Sequence, residues 1–392
     1  MGSPWRSHPS WEVVEEASEV AGRDLAHLLC HADEAELTET RNAQLATFVL
    51  SLVVLDAVER IGVEPTRSAG HSLGEYSALA AAGVIGLEDS VALVAERGDA
   101  MQAAAEANPG VMTLVGGCDA DTVDIACRLA GGDVWVANFN SDTETVIAGE
   151  EQAVARAAEI ALDMGARRTE RVPVGGPFHT PLMAGARSRL TKALSSVRMH
   201  DAEVPVVTNV DARFHTRAKD FEALLCAQLT SPVRWRQSVL RLAGMSDVAL
   251  DEQLLDSGRL IFVEMGPGQS LSSMIGQTIP AATTVAVRCP DDLDLLVETL
   301  SADPSVHAYA LEHQGEHIYV SERVVISPAT GVFEPSPVLA EPDGLALQVG
   351  TVVGWVSGQE VCSPFAGTLK GILAHPGERV TAGQPIAWLH AS

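Results

Sequence analysis

Basic residues are scarce in this chain. Its 26 Lys and Arg stand against 52 Asp and Glu, for a formal net charge of −26, and no Lys/Arg-rich run occurs. A protein that reads a phosphate backbone needs the opposite balance, so nucleic acid is excluded as the expected partner. Anionic membrane surfaces are disfavoured for the same reason. A small anion is still an acceptable ligand, provided one Arg or Lys is placed locally for it. Cysteines are few and scattered. Cys30, Cys118, Cys127, Cys226, Cys289 and Cys362 form no C-x-x-C pair and no zinc-like spacing with histidine. Free thiols in a reducing cytoplasm are therefore expected, with no metal site. The start, "MGSPWRSHPSWEVVEEASEV", lacks the basic segment and apolar stretch of a secretory signal. The most apolar early run, "LATFVLSLVVLDAV", reads as one buried helix, too short to cross a bilayer.

What is present suits a globular protein with a sizeable core. The 392 residues are 46% hydrophobic and 20% charged, and the length favours two or three domains. Residues 41–61 carry an apolar helical pattern, with Gly62 suited to its C-cap. "PTRSAGHS" follows as a short strand, then "LGEYSALAAAG" and "LEDSVALVAERGDAMQAAAEA" as two helices. Between residues 110 and 178, "GVMTLVGG", "WVANFN", "TETVIAGE" and "RTERVPV" read as strands alternating with two helices. Their β-α-β-β-α-β order predicts a ferredoxin-like subdomain inserted in a larger core. The fold class expected is α/β: a hydrolase-like, parallel-sheet core over 1–109 and 179–300, with 110–178 as the insertion.

Residues 301–320 are polar and weakly patterned, as in a linker. An internal repeat follows over 321–392. "SPATG" at 327–331 returns as "SPFAG" at 363–367, and Gly344, Gly350 and Trp355 recur 33 positions later as Gly377, Gly383 and Trp388. Two similar strand-rich halves imply a small pseudo-symmetric β-sandwich.

The stretch with most chemical content is "GHSLGEYS" at 70–77. G-x-S-x-G between a strand and a helix is a nucleophile elbow, in which glycines make room for a sharp turn and the serine Oγ is presented to solvent. The N–H of Leu73, at the start of the helix, would help hold an oxyanion. The pattern also fits an ordinary helix start at a serine, and by itself leaves both readings open. Ser72 would need a base. His179, in "VGGPFHTPLM", is the best placed of twelve histidines, at the loop where the core resumes. His71 is adjacent to Ser72, but neighbouring side chains on a turn diverge, which favours a structural role. No Asp or Glu stands out as a third member; a backbone carbonyl can orient an imidazole instead. Arg97 offers a guanidinium fork for a substrate carboxylate. It would equally serve as a solvated helix residue paired with Glu96 or Asp99.

"AGHSLGEYSALAAAGV", "LVAERGDAMQ", "GPFHTPLM", "AQLTSPVRW" and "FVEMGPG" together resemble the malonyl-CoA:acyl carrier protein transacylases and the acyltransferase domains of polyketide synthases. The resemblance is collinear over about residues 1–300. It implies a ping-pong transfer of a malonyl group from malonyl-CoA to the phosphopantetheine thiol of an acyl carrier protein. Ser72 would be the nucleophile and His179 its general base, oriented by the backbone carbonyl of Gln228. Arg97 would bind the free malonyl carboxylate, and Phe178 would crowd a 2-methyl branch. No cofactor is implied beyond the coenzyme A thioester that is the substrate.

The chain departs from that pattern at its start. Family members begin with a strand leading to a "GQGSQ" segment whose first Gln lines the oxyanion hole, and no equivalent stands in this sequence. The expectation is a start upstream of Met1; the alternative is a non-catalytic acyl-binding or scaffold protein. A serine hydrolase, differing only in water as acceptor, is a third reading. The repeat at the C-terminus resembles biotinyl/lipoyl-attachment domains. The stretch between its halves, "VSGQEV", has no lysine, and Lys370 lies inside the second half. A docking or structural role is therefore expected there, with no cofactor attached.

Overall fold

The computed structural model describes residues 1–244, 260–302, 322–337, 345–364, 366–381 and 383–391. The chain divides into two compact units, 1–311 and 312–392. The linker expected over 301–320 falls, from 303 onward, outside the described residues.

The first unit opens with three short helices that the sequence patterns did not mark: α1 (Glu12–Ala21), α2 (Leu25–Cys30) and α3 (Glu34–Thr38). Asp24 and Asp33 start the latter two, each carboxylate accepting a backbone N–H three residues on. Helix α4 (Thr40–Arg60) is 21 residues long, with Leu45, Phe48, Val49, Leu50, Val53 and Val54 fully buried. It is long and apolar enough to cross a membrane, so the length argument made from the sequence does not hold. Its burial in the largest apolar cluster is what identifies it as a core helix.

Strand β1 is only Ser68–Ala69, far shorter than "PTRSAGHS" suggested, because the backbone leaves the sheet at Gly70 to turn into α5 (Gly74–Ala81). Helix α6 (Leu87–Ala107) follows. It lies close against the beginning of α4, and a Cβ added to Gly98 would meet the Arg41 Cα at 2.9 Å. Only a glycine lets the two helices approach this closely.

The segment after α6 runs β2 (Val111–Gly116), α7 (Ala120–Ala130), β3 (Val134–Phe139), β4 (Glu144–Gly149), α8 (Glu151–Asp163) and β5 (Arg168–Arg171). Its four strands form one antiparallel sheet in the order β3-β4-β2-β5. This layer has its own apolar cluster, including Val115, Val123, Ile147 and Ala157. It is stitched to the rest of the unit where Val233 exchanges backbone bonds with Ala137 and Phe139, each 2.8 Å long.

Beyond it come α9 (Ala184–Leu194), β6 (Val206–Val207), β7 (Phe214–His215), α10 (Ala218–Gln228) and α11 (Trp235–Leu242), then β8 (Ile261–Met265), α12 (Ser270–Thr278), β9 (Thr283–Val287) and α13 (Asp292–Ala302). The sequence implied one parallel sheet in this core. The described residues form two pieces instead: β1-β6-β7, in which β1 and β6 are parallel and β7 is antiparallel, and the parallel pair β8-β9.

The second unit consists of β10 (Glu322–Ile326), β11 (Gly331–Pro335), β12 (Ala346–Leu347), β13 (Val352–Val356), β14 (Gln359–Cys362), β15 (Gly367–Ile372), β16 (Arg379–Val380) and β17 (Pro385–Ala391). They form two four-stranded sheets, β10-β17-β15-β12 and β14-β13-β11-β16. Replacing each strand by its counterpart in the other half turns the first order into the second, so the sequence repeat is a structural two-fold. Both sheets bury apolar residues in one cluster, with Phe333, Val353, Leu369 and Leu389 at its centre. The halves meet at a two-residue hairpin, Ser357-Gly358, with φ of 51° and 82°. Both residues of a type I′ turn have positive φ. Lys370 lies in β15, exposed, beside a register shift, and not in that hairpin.

The close crossing at Gly98 gives a test. Gly98→Val should destabilise the protein by about 1–3 kcal/mol, as overpacking against a rigid neighbour does. Denaturant melts check this, and an unchanged midpoint would show that the helices can separate freely.

Candidate active site

The turn between β1 and α5 resolves the two readings of "GHSLGEYS". A Cβ on Gly70 would lie 1.9 Å from the C and O atoms of Gly74, so the two backbones touch and Gly70 cannot be replaced without opening the turn. Gly74 differs: nothing lies within 4 Å of a Cβ added there. The sequence reading, in which both glycines give the turn room, is corrected to one. Ser72 itself has φ 52°, the left-handed region that a non-glycine residue enters only when its surroundings hold it there. The hold is visible. The Ser72 N–H donates to Asn209 Oδ1 at 2.7 Å, and Asn209 Nδ2 donates to the Gly70 carbonyl at 2.7 Å. The Ser72 carbonyl accepts from Gln228 Nε2 at 2.9 Å. This is an elbow and not the first turn of a helix. Among the described residues the Leu73 N–H has no partner, and it heads α5 one residue beyond the serine.

His179 comes from the loop after β5 and is also in the left-handed region, at φ 62°. It is 4% exposed. Its Nε2 is 2.7 Å from Ser72 Oγ and its Nδ1 is 2.9 Å from the Gln228 carbonyl oxygen. A carbonyl only accepts, so Nδ1 carries the proton and Nε2 is left as the acceptor for the serine hydroxyl. Burial is the main cause that lowers the imidazole pKa, to about 3, with the charge of Arg97 and the nearby His71 in the same direction; the Gln228 carbonyl opposes them.

Arg97 projects from α6 and is 1% exposed. It does not pair with Glu96 or Asp99, which bond instead to Arg189 and Arg23. Its Nη2 donates to Ser72 Oγ at 3.2 Å and to Gln228 Oε1 at 3.0 Å, and its Nη1 donates to Gln44 Oε1. Its guanidinium stands over the Tyr76 ring, 5.1 Å from the centroid. Nε has no partner, and no carboxylate forms an ion pair with Arg97 among the described residues. Burial draws the guanidinium pKa down, against its charge. A buried cation held only by neutral amides and a hydroxyl is arranged to receive an anion.

Phe178, on the loop that carries His179 and directly before it, packs in the main apolar cluster. His71 bonds through Nε2 to Asn140 Oδ1 at 3.0 Å and lies edge-on to Trp235, well suited to a structural role. Two participants escaped the sequence reading. Gln44 is a buried amide in the first turns of α4, on a face shared with the buried Thr40 and Ser51, and Asn209 follows the short strand β6. Gln44 directly precedes the apolar run that starts at Leu45, among other polar residues, so no local pattern singled it out. Nothing local marked Asn209.

A serine hydrogen-bonded to an imidazole, beside a buried arginine with no carboxylate partner among the described residues, is the arrangement of a serine acyltransferase site. Residues 7–285 match the acyl transferase domain model, and the chain belongs to that family. Its relatives include malonyl CoA–acyl carrier protein transacylases. The one from Bacillus subtilis is 36% identical over 294 residues, covering 74% of this chain and 89% of the relative. Among solved structures, the enzyme from Streptococcus pneumoniae is 35% identical with a TM-score of 0.68, covering 76% of this chain and 94% of that one. A malonyl-transacylase in complex with its type II polyketide acyl carrier protein is 33% identical with a TM-score of 0.69, covering 76% and 94%.

With its pKa held far below the ordinary 6.5, His179 should remain neutral at pH 5. The unfolded chain binds a proton below about 6.5 and the folded one does not, so this group weakens the fold as pH falls from there toward 3. Nitrogen NMR of the labelled imidazoles, assigned with His179→Ala, checks it. Protonation of His179 near pH 6.5 would contradict the depressed value.

Proposed function

We propose that the chain transfers a malonyl group from malonyl-CoA to the phosphopantetheine thiol of an acyl carrier protein, through a malonyl ester on Ser72. Nε2 of His179 takes the hydroxyl proton as Oγ attacks the thioester carbonyl. The Leu73 N–H faces the oxyanion that forms, where such a donor contributes most. Collapse of the tetrahedral adduct breaks the C–S bond, and the coenzyme A sulfur leaves with the proton from His179. In the second half the carrier thiol gives its proton to His179 and attacks the ester, and Ser72 recovers the proton as it departs. Gln228 holds the imidazole in the tautomer that both halves need.

The observation that carries this reading is Arg97, buried, without a carboxylate, with Nη2 3.2 Å from the nucleophile. An acyl group on Oγ that ends in a second carboxylate supplies the missing anion. An acetyl group leaves the guanidinium unpaired and is disfavoured. Phe178, beside the base, would crowd a branch at the 2-position. A thioesterase would share the serine and the histidine and differ in its acceptor, water. The activity serves fatty acid and polyketide assembly, in a reducing cytoplasm that suits six free cysteines.

For the second unit the reading is a biotinyl/lipoyl-like sandwich that carries no prosthetic group and serves in docking or structure. The two-fold relation of its sheets supports the likeness. Serine and glycine occupy the hairpin where a modified lysine would stand.

Intact-mass measurement after mixing with malonyl-CoA should show one malonyl adduct on the wild type and none on Ser72→Ala. Arg97→Ala should lose roughly 100-fold in its preference for malonyl over acetyl, the scale of a buried charge pair truncated at one partner. Hydrolysis of malonyl-CoA at the same rate with and without a carrier protein would overturn the transferase reading in favour of a thioesterase.

A further inference from the structure

Three residues from Ser72 along the elbow helix lies a carboxyl group that the transfer mechanism does not use. Glu75 is fully buried. Its Oε2 accepts two hydrogen bonds, from Gln228 Nε2 at 2.7 Å and from the Asn209 N–H at 3.1 Å, and its Oε1 has no partner. Each donor is itself committed to the site. Gln228 Nε2 also donates to the Ser72 carbonyl, which leaves Oε1 of the same amide to accept from Arg97. Asn209 uses its side chain to clasp the elbow at Gly70 and Ser72.

The amide of Gln228 has two possible orientations, related by exchange of its O and N atoms. With Glu75 on one side as an acceptor, only one of them satisfies both neighbours: N toward Glu75, O toward Arg97. The reverse would set an NH₂ against a guanidinium and an oxygen against a carboxyl oxygen, deep in a buried site where unsatisfied polar atoms are costly. Glu75, together with the Ser72 carbonyl, therefore holds the amide with its oxygen toward the arginine, and Glu75 makes the shorter of the two bonds.

We propose that Glu75 is a positioning residue for acyl-group selection: it fixes the Gln228 amide, and through it Arg97, in the geometry that receives a carboxylate. This rests on the reading of Arg97 as the malonyl carboxylate site and extends it to a residue that touches neither substrate nor the reacting atoms. Because Glu75 also supports Asn209, its loss should slow transfer of any acyl group by loosening the elbow. Its loss should in addition cut the malonyl-to-acetyl ratio, which loosening alone would leave unchanged.

The experiment compares kcat/KM for malonyl-CoA and acetyl-CoA, with a carrier protein as acceptor, in the wild type, Arg97→Ala, Glu75→Met and Glu75→Gln. Methionine keeps the volume and removes both acceptors; glutamine keeps an oxygen for both bonds. Glu75→Met should lower the malonyl-to-acetyl ratio on the order of tenfold, the scale of a hydrogen bond in a charged network, and Glu75→Gln should restore most of it. An unchanged ratio in Glu75→Met, with Arg97→Ala having lost it, overturns the proposal and leaves the role of Arg97 standing. An unchanged ratio in Arg97→Ala overturns the underlying reading instead. If Glu75→Met does not fold, Gln228→Met removes the same bond from its other end, and retention of the malonyl preference there overturns the proposal equally.

Discussion

The site depends on one residue being used at both ends. The main-chain carbonyl of Gln228 fixes the proton of His179 on Nδ1, and its side-chain amide links Arg97, Ser72 and Glu75. The carbonyl is available because Gln228 is the last residue of α10, and the final carbonyls of a helix have no intrahelical donor. That end of the helix also carries partial negative charge, which favours the imidazolium that the proposed mechanism forms on His179. In the proposed mechanism, base orientation and recognition of the substrate carboxylate thus share a single attachment to the fold, with no acidic triad member required.

Strain is the second feature of the site. Ser72 and His179 both occupy left-handed backbone conformations, at a cost of about 1–3 kcal/mol each. Bonds from Asn209 and Gln228 offset this at the serine, and the contact of Gly70 with Gly74 leaves the turn no room to relax. The geometry needed for proton transfer is therefore present before substrate arrives. Arg97 is likewise prepared, since Gln44 and Gln228 hold its two terminal nitrogens and no acid has to be displaced. The close crossing of α4 and α6 at Gly98 brings Gln44 within reach of that arginine.

Much of this was legible in the sequence, for physical reasons that differ from element to element. The α6 pattern gave Leu87–Ala107 because apolar periodicity is sustained over many turns. The order of strands and helices over 110–178 followed from alternating periods of two and about four. The internal repeat pointed to a small pseudo-symmetric β-sandwich, and the second unit holds two sheets of matched strand order. Ser72, His179, Arg97 and Gln228 are brought together in space as the sequence motifs suggested, although the motifs said nothing of distance. The misses came where tertiary packing decides. β1 is two residues long because the elbow consumes the rest, and the sheet expected as one piece lies in two among the described residues. Gln44 and Asn209 act through contacts with residues far away in sequence, which no local pattern encodes. Gly74 looked as necessary as Gly70, and only the packing around each separates them.

The sharing of Gln228 between base and arginine is tested most directly by a double-mutant cycle on the rate of Ser72 acylation by malonyl-CoA. Arg97→Ala and Gln228→Met form the cycle; the methionine leaves the main-chain carbonyl facing His179. Residues joined in one hydrogen-bond network couple by about 0.5–3 kcal/mol, so Gln228→Met should cost that much less in the Arg97→Ala background than in the wild type. Effects that add within about 0.5 kcal/mol would mean the two residues act independently, and would contradict the coupling described here.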